Sequence, residues 1–343
     1  MKALLSITIV SLLFLYGCNP AEEVSTETEA AVDQQTLRVS IGLNDRHPQY
    51  NGIVRFKELV EEQTDDFEIE LYHSGQIAGD RVAVEMLQLG SLDITIPSTS
   101  PLINFTPEYG VFDLPFTIPN SEVADELLDG EFGDRMLDLA ETQGMVGLAW
   151  WENGFRNLTN DERPIESIDD LRGLKVRTME SDIHLDTWQA LGANPTPMSM
   201  SEVFSALQQG TVDGQENPYP TIHMENFSEV QGYLTETLHT YTPFIFLMDK
   251  AVWDKMNVNN RKLFKQLPLK RGKYNRDINR ETAEESLLTL EESMNFNRIS
   301  DEEYIRFQEA VNPVIEKYSD MIGEEIVEDY LSEIQEIESR LNN

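Results

Sequence analysis

The sequence predicts an α/β protein built as two lobes of similar design, with a long helix laid across them. Three observations carry this reading. Residues 36–98 read strand, helix, strand, helix, strand, the order that yields a mainly parallel sheet. The same alternation returns over residues 145–210. Residues 87–93, LQLGSLD, are echoed by residues 207–213, LQQGTVD: a helix end, a glycine stop and a strand start, made twice.

Residues 36–43 (TLRVSIGL) alternate apolar and polar as a strand does. Residues 51–63 are expected to be helical, and residues 67–75 (FEIELYHSG) a second strand. Residues 80–89 place Val82, Met86 and Leu89 at helical spacing before Gly90, a stop signal. Residues 92–98 (LDITIPS) read as a third strand, ended by Pro97. In the second half, residues 145–151 (MVGLAWW) are a strand and residues 167–173 (SIDDLRG) a short helix with a Ser-x-x-Asp capping box and a closing glycine. Residues 173–181 (GLKVRTMES) alternate again, Leu174, Val176 and Thr178 against Lys175, Arg177 and Met179. Residues 201–210 form a helix capped by Ser201 and closed by Gly210. Over residues 270–294, Ile278, Ala283, Leu287, Leu288 and Leu290 stand among many charges; that suits an amphipathic helix bracing both lobes. A short strand at 296–299 and helices from 301 and over 323–341 complete the chain.

Residues 1–18, MKALLSITIVSLLFLYGC, read as an export signal, with Lys2 ahead of an apolar run over residues 3–15. The run is shorter than the ~20 apolar residues of a membrane-spanning helix. Its end, LYGC, resembles a bacterial lipobox, so Cys18, the only cysteine, is expected to carry a lipid after cleavage and to hold the protein outside the cytoplasm. No internal disulfide is possible with one cysteine. Residues 19–35 are polar and acidic, too poor in large apolar groups to fold, and are expected to be a flexible tether. The rest is long enough for two domains. With 62 acidic and 26 basic residues the net charge is −36, which argues against nucleic-acid binding, since that needs a basic footprint. If the ligand is an anion, its attraction must be local.

Catalytic signatures are absent: there is no G-x-S-x-G, H-E-x-x-H, Walker A loop or G-x-G-x-x-G. The five histidines, His47, His73, His184, His223 and His239, lack metal-ligand spacing. No catalytic residue, cofactor or metal is predicted. Three stretches instead suit binding. Arg177 sits within the strand of residues 173–181, Arg156 follows Gly154 and Phe155 in WWENGFRNLT, and Asn217 precedes Pro218 in VDGQENPYP. A carboxylate needs a bidentate guanidinium and neutral donors, and these three residues supply that set. Taken singly, each arginine also fits a surface or ion-pair role, and Asn217 a turn.

Residues 173–218, with GLKVRTMES and LGANPTPMSMSEVFSALQQGTVDGQENP, resemble the solute-binding proteins of tripartite ATP-independent periplasmic (TRAP) transporters, the DctP-like family. IGLNDRHP (41–48), SGQIAGDRVAVEMLQLGSLDI (74–94), FTPEYGVFDLPF (105–116) and NGFRN (153–157) follow in family order. The resemblance implies a two-lobe fold like that of periplasmic binding proteins, which closes on a carboxylate and passes it to a membrane permease. It implies lobe I from residues 36–154 and 243–282 and lobe II from residues 155–242 and 283–343. It implies that Arg177 makes the bidentate salt bridge, that Arg156 and Asn217 touch the same carboxylate, and that Asn44 is a pocket residue with His47 on its loop.

Sialate-binding members carry an acidic residue in the place of the pocket residue Ser98 and an aromatic in the place of Met200, so sialic acid is not expected. A sugar acid, uronate or aldonate, is expected to engage Asn44, His47, Glu85 and Glu216 through its hydroxyls. A C4-dicarboxylate is the alternative and needs a second cation, for which the first lobe offers only Arg81. A lipid-anchored hydrolase or lyase on acidic sugars would need a convergent acid/base pair, and a structural lipoprotein would bind no small anion.

Overall fold

The computed structural model describes residues 34–342; the leader, Cys18 and tether residues 19–33 lie outside the described residues. The chain begins β1 (Gln35–Ser40), α1 (Pro48–Gln63), β2 (Phe67–Tyr72), α2 (Asp80–Gln88) and β3 (Ile94–Thr95). Helices α3 (Ser121–Asp129) and α4 (Glu131–Asp138) lead into β4 (Met145–Phe155), which runs on through Arg156 into β5 (Asn157–Asn160). Next come β6 (Lys175–Thr178), α5 (Asp182–Ala190), β7 (Asn194–Pro197), α6 (Met200–Gln208), β8 (Gly214–Asn217), α7 (Tyr219–Met224) and β9 (Tyr233–Glu236). The chain closes with β10 (Tyr241–Asp249), α8 (Lys250–Lys255), α9 (Val258–Ser293), β11 (Asn295–Arg298), α10 (Asp301–Ile322) and α11 (Glu324–Leu341).

Two sheets organise two lobes. The first is ordered β2-β1-β3-β10-β4 and the second β11-β9-β5-β8-β6-β7. In the first, β1 is parallel to β2 and β3. In the second, β6 is parallel to β7 and β8. Strand β10 was not foreseen. It lies antiparallel between β3 and β4 and is buried throughout. A strand covered on both faces loses the alternation that betrays a strand. Pro243 also argues against one, yet it stands at a register shift with β4, where a missing N–H is tolerated. The third predicted strand shrinks to Ile94–Thr95, and the short helix at residues 167–173 is a 3-10 turn that keeps its Ser167–Asp170 capping box.

The bracing helix begins earlier than expected. Asn257 caps it by accepting from Asn260 N–H at 2.9 Å, and its 36 residues span ~54 Å at the usual rise. Phe264 and Leu267 join the first lobe's core with Phe56, Trp151 and Phe246. Leu290 and Met294 join a core in the second lobe with Val203, Leu207 and Leu234. Between them, Asn275 accepts from Glu152 N–H at 3.0 Å and Asn279 donates to Asn153 C=O at 3.1 Å.

The C-terminal helices do not belong to the second lobe alone, as the division at residue 283 supposed. Phe307 and Val311 pack with Leu158, Val176 and Trp188 of that lobe. Further along α10 and α11, Val314, Tyr318, Val327 and Tyr330 pack with Tyr109, Phe112 and Phe132 of the first lobe. Their apolar stripe is long enough to cover helices of both. Among the described residues no helix is long and apolar enough to cross a membrane.

Candidate functional site

The carboxyl ends of β6 and β8 meet the first lobe at a narrow cleft with about 40 Å³ of free space, well below the ~300–1,000 Å³ of open small-molecule pockets. Arg177, Asn217, Met198 and Glu180 line it from the second lobe, and Gln49, Asp80, Ser98 and Asn153 from the first. The walls come very close. A Cβ on Gly79 would lie 2.4 Å from Ser199 Oγ across the cleft, and within the first lobe one on Gly42 would lie 2.7 Å from Asp80 Oδ1; these two side chains fill the space that the glycines leave.

Arg177 is 2% exposed and makes no ion pair with any described residue. Its Nε and Nη2 donate to Met198 C=O at 3.0 and 2.7 Å, and Nη1 is buried without a partner. Burial lowers its pKa to about 10, with Glu216 opposing and Arg156 reinforcing the shift, so it remains a cation at neutral pH. A buried guanidinium with an unmet donor is costly to the empty protein and ready for an anion.

Arg156 sits where β4 passes into β5. Its Nε and Nη2 donate to Glu216 carboxylate oxygens at 2.5 and 2.9 Å, and Nη2 also reaches Asn217 Oδ1 at 3.1 Å. His239 Nε2 lies 3.0 Å from the same carboxylate. Burial would raise the Glu216 carboxyl, but the charge of Arg156 and the hydrogen bonds hold it well below the usual range. Only Nη1 of Arg156 is buried and unpartnered. Asn217 is fixed from its other side by donating to Gln215 Oε1 at 2.5 Å.

Several candidates stand elsewhere. Glu216 is fully buried behind the cleft, engaged by Arg156 and His239, so it has no free oxygen face for a ligand hydroxyl. Glu85 lies in a separate surface groove and accepts from Arg81 Nη1 at 2.6 Å. Arg81 also donates to Glu180 of the cleft wall at 3.1 Å; its charge is matched by these two carboxylates and it does not itself line the cleft. Asn44 ties the lobes together: its Nδ2 donates to Met224 C=O at 2.7 Å and its N–H to Glu225 at 3.0 Å. His47 is completely buried and caps α1, accepting from Gln49 N–H at 3.1 Å through Nδ1. Its Nε2 faces Thr221 Oγ1 at 3.3 Å, and burial lowers its pKa to about 3, leaving it neutral. None of Glu216, Glu85, Asn44 and His47 lines the cavity, and neither does Arg156, which is fully buried behind Asn217. Ser98 does; its N–H donates to Asp80 Oδ2 at 3.1 Å.

Sequence reasoning missed Asp80, Gln49, Asn153 and Glu180. Burial raises the Asp80 carboxyl to about 6, against the Ser98 hydrogen bond and the charge of Arg177. Gln49 donates to Ile96 C=O at 2.7 Å, while its Oε1 is buried with no partner. Among the described residues no cluster of three or more His, Cys, Asp or Glu can hold a metal. Ser100, Asp113 and His184 have the composition of a hydrolytic triad, but all are sealed, and the serine donates to Asp113 at 2.7 Å. A general base is needed at that hydroxyl, and the histidine lies 3.4 Å away.

A family model described as bacterial extracellular solute-binding protein, family 7 (DctP), matches residues 39–321. The chain is 32% identical over 287 residues to the C4-dicarboxylate-binding periplasmic protein DctP of Rhodobacter capsulatus, covering 82% of this chain and 85% of that one. Its fold matches the sugar acid binding protein of Advenella mimigardefordensis in complex with galactonate, with TM-score 0.87, 37% identity, and coverage of 89% of this chain and 99% of that one. A TRAP periplasmic solute binding protein from Polaromonas bound to D-erythronate gives TM-score 0.83 and 35% identity, covering 87% and 98%. The chain belongs to the DctP family of extracellular solute-binding proteins, organic-acid binders of TRAP transport systems and not enzymes.

Proposed function

We propose that this protein captures a hydroxylated monocarboxylate, an aldonate or uronate, and delivers it to a TRAP permease. Arg177 holds the carboxylate. Asn217 lines the cleft beside it and is held from behind by Arg156, itself steadied by Glu216. Ser98, Gln49, Asn153 and Asp80 on the facing wall take the hydroxyls. One observation carries the choice of ligand. The cavity offers a single uncompensated cation, Arg177, and its other ionisable groups are the acids Asp80 and Glu180. Carboxylates accept hydrogen bonds from hydroxyls and repel a second carboxylate. A C4-dicarboxylate would need the charge of Arg81, which Glu85 and Glu180 already engage. The two relatives solved with galactonate and D-erythronate hold hydroxylated monocarboxylates and support the same reading.

Cys18 is the proposed lipid attachment point, tethering the binder to a membrane outside the cytoplasm. Titration calorimetry against galactonate, glucuronate and succinate tests the ligand class. Heats with the two sugar acids and none with succinate are expected. Tighter binding of succinate reverses the assignment.

A further inference from the structure

Basic residues are unevenly placed in this acidic chain. Eight of its 26 lysines and arginines lie within residues 261–280, with Asp277 the only acid among them. All of these sit on α9, and Arg261, Arg276 and Arg280 are used differently from the lysines. Arg261 is turned inward to Trp253 C=O and Asp254 C=O. Arg276 is bound to Asp125 and Asp129, and Arg280 to Asp125 and Glu152. Lys262, Lys265, Lys270 and Lys273 are exposed, and none is ion-paired with a described residue. At 100° per residue these four lysines fall on one face about 140° wide. Leu269, 57% exposed, protrudes from the middle of that face.

Beside the face opens a hollow with Leu128, Trp150 and Leu269 in its lining, Lys270 and Lys273 at its side, and Asp129 and Asp134 opposite. Arg276 also lines it. That arginine is 3% exposed, and its Nη1 is buried with no partner.

We infer that this face of α9 docks on an anionic lipid bilayer. The lysines meet headgroup phosphates, Leu269 enters the interfacial zone, and the hollow seats a headgroup against Lys270, Lys273 and the unmet donor of Arg276. The residue choice favours lipid over a protein partner. Protein interfaces are enriched in arginine and depleted of lysine, whereas here Arg261, Arg276 and Arg280 are committed to partners within the molecule and the lysines are presented outside. Lysines around one exposed leucine suit a fluid polyanionic surface. The acidic remainder of the molecule does not forbid this contact, because charges beyond ~8 Å are screened at physiological ionic strength. The inference rests on the described residues and not on the lipid proposed at Cys18.

The test uses the chain from residue 19 onward, so that lipidation plays no part; its described residues form one compact unit. Vesicles of phosphatidylcholine, with and without phosphatidylglycerol, are sedimented with the protein at low and high salt. Binding is expected only with phosphatidylglycerol and is expected to disappear at high salt. Joint Lys262→Gln, Lys265→Gln, Lys270→Gln and Lys273→Gln should lower partitioning on the order of 1,000-fold. The matching set of Lys→Arg changes should retain it, and sugar-acid binding should be unchanged in both. Equal binding to neutral vesicles, or a lysine-to-glutamine variant that partitions as the parent does, overturns the inference. Retention on a polyglutamate matrix without vesicle binding also overturns it and assigns the face to an acidic protein.

Discussion

Arg156 and Arg177 are two buried guanidiniums, one at the junction of β4 and β5 and the other in β6, and the contrast between them defines the site. Arg156 is closed into an ion pair with Glu216, with His239 and Asn217 around it. Arg177 has only a backbone carbonyl. The first resembles the interior of any stable protein; the second is incomplete without a ligand. Burial alone therefore does not identify a binding residue. The informative quantity is how much of a buried charge is left unmatched.

This contrast can be broken at four points, in order of expected effect. Arg156→Ala leaves Glu216 buried and unpaired, and breaking a pair of this kind costs about 3–5 kcal/mol of stability. Chemical denaturation should show the loss; a midpoint close to the parent's would mean that the pair is not structural. Arg177→Ala should do the reverse. It is expected to cost about 3 kcal/mol of affinity for the organic acid, roughly 100-fold or more, while the empty protein melts no lower than the parent. Calorimetry and melting curves on one preparation separate the two outcomes.

Asp80→Asn comes third. Loss of a charge-assisted hydrogen bond to a ligand hydroxyl should weaken a sugar acid by about 1.5–3 kcal/mol and leave a small unhydroxylated acid unaffected. The same carboxyl carries a pH signature. Its pKa is raised in the folded state from 3.8 to about 6. Between these values the native state holds more protons than the unfolded chain, so Asp80's contribution to stability falls as pH rises through that window. Asp80→Asn should therefore melt higher than the parent at pH 7 and level with it below the window. Melting curves across that range check the sign. The smallest effect is expected from Arg81→Ala. Its partners Glu85 and Glu180 are substantially exposed, and pairs of this kind contribute ~0–1 kcal/mol. A large loss of succinate or sugar-acid affinity in that variant would mean that Arg81 reaches the ligand.

The sequence made some of this legible and hid the rest for physical reasons. The glycine stops, the capping box of Ser167 and the alternation around Arg177 are local signals, and each marks an element close to where it stands. Alternation could not show which part of a face is covered. Lys175 and Arg177 point to the same side of β6, yet Lys175 is exposed and Arg177 buried, because the facing lobe covers only the carboxyl end of the strand. Asp80 carried no signal among 62 acidic residues, and the same excess made Glu85 and Glu216 look interchangeable with it. Their roles separate only in three dimensions, into a cleft wall, a surface pair and a buried counter-ion. His47 is buried near the cavity, but its neighbours Leu43 and Gln49, not its own ring, line it.

Strand β10 sets the order in which the molecule can be made. It supplies the partner of both β3 and β4, but it is synthesised only after the strands of the second lobe, β11 excepted, have been laid down. Until residues 241–249 emerge, the first lobe has two open edges where its finished sheet has a centre. Such edges invite pairing with other chains. The first lobe is thus begun first and completed late, and a chain cut before Tyr241 would be no half-protein but an unfinished sheet seeking a partner.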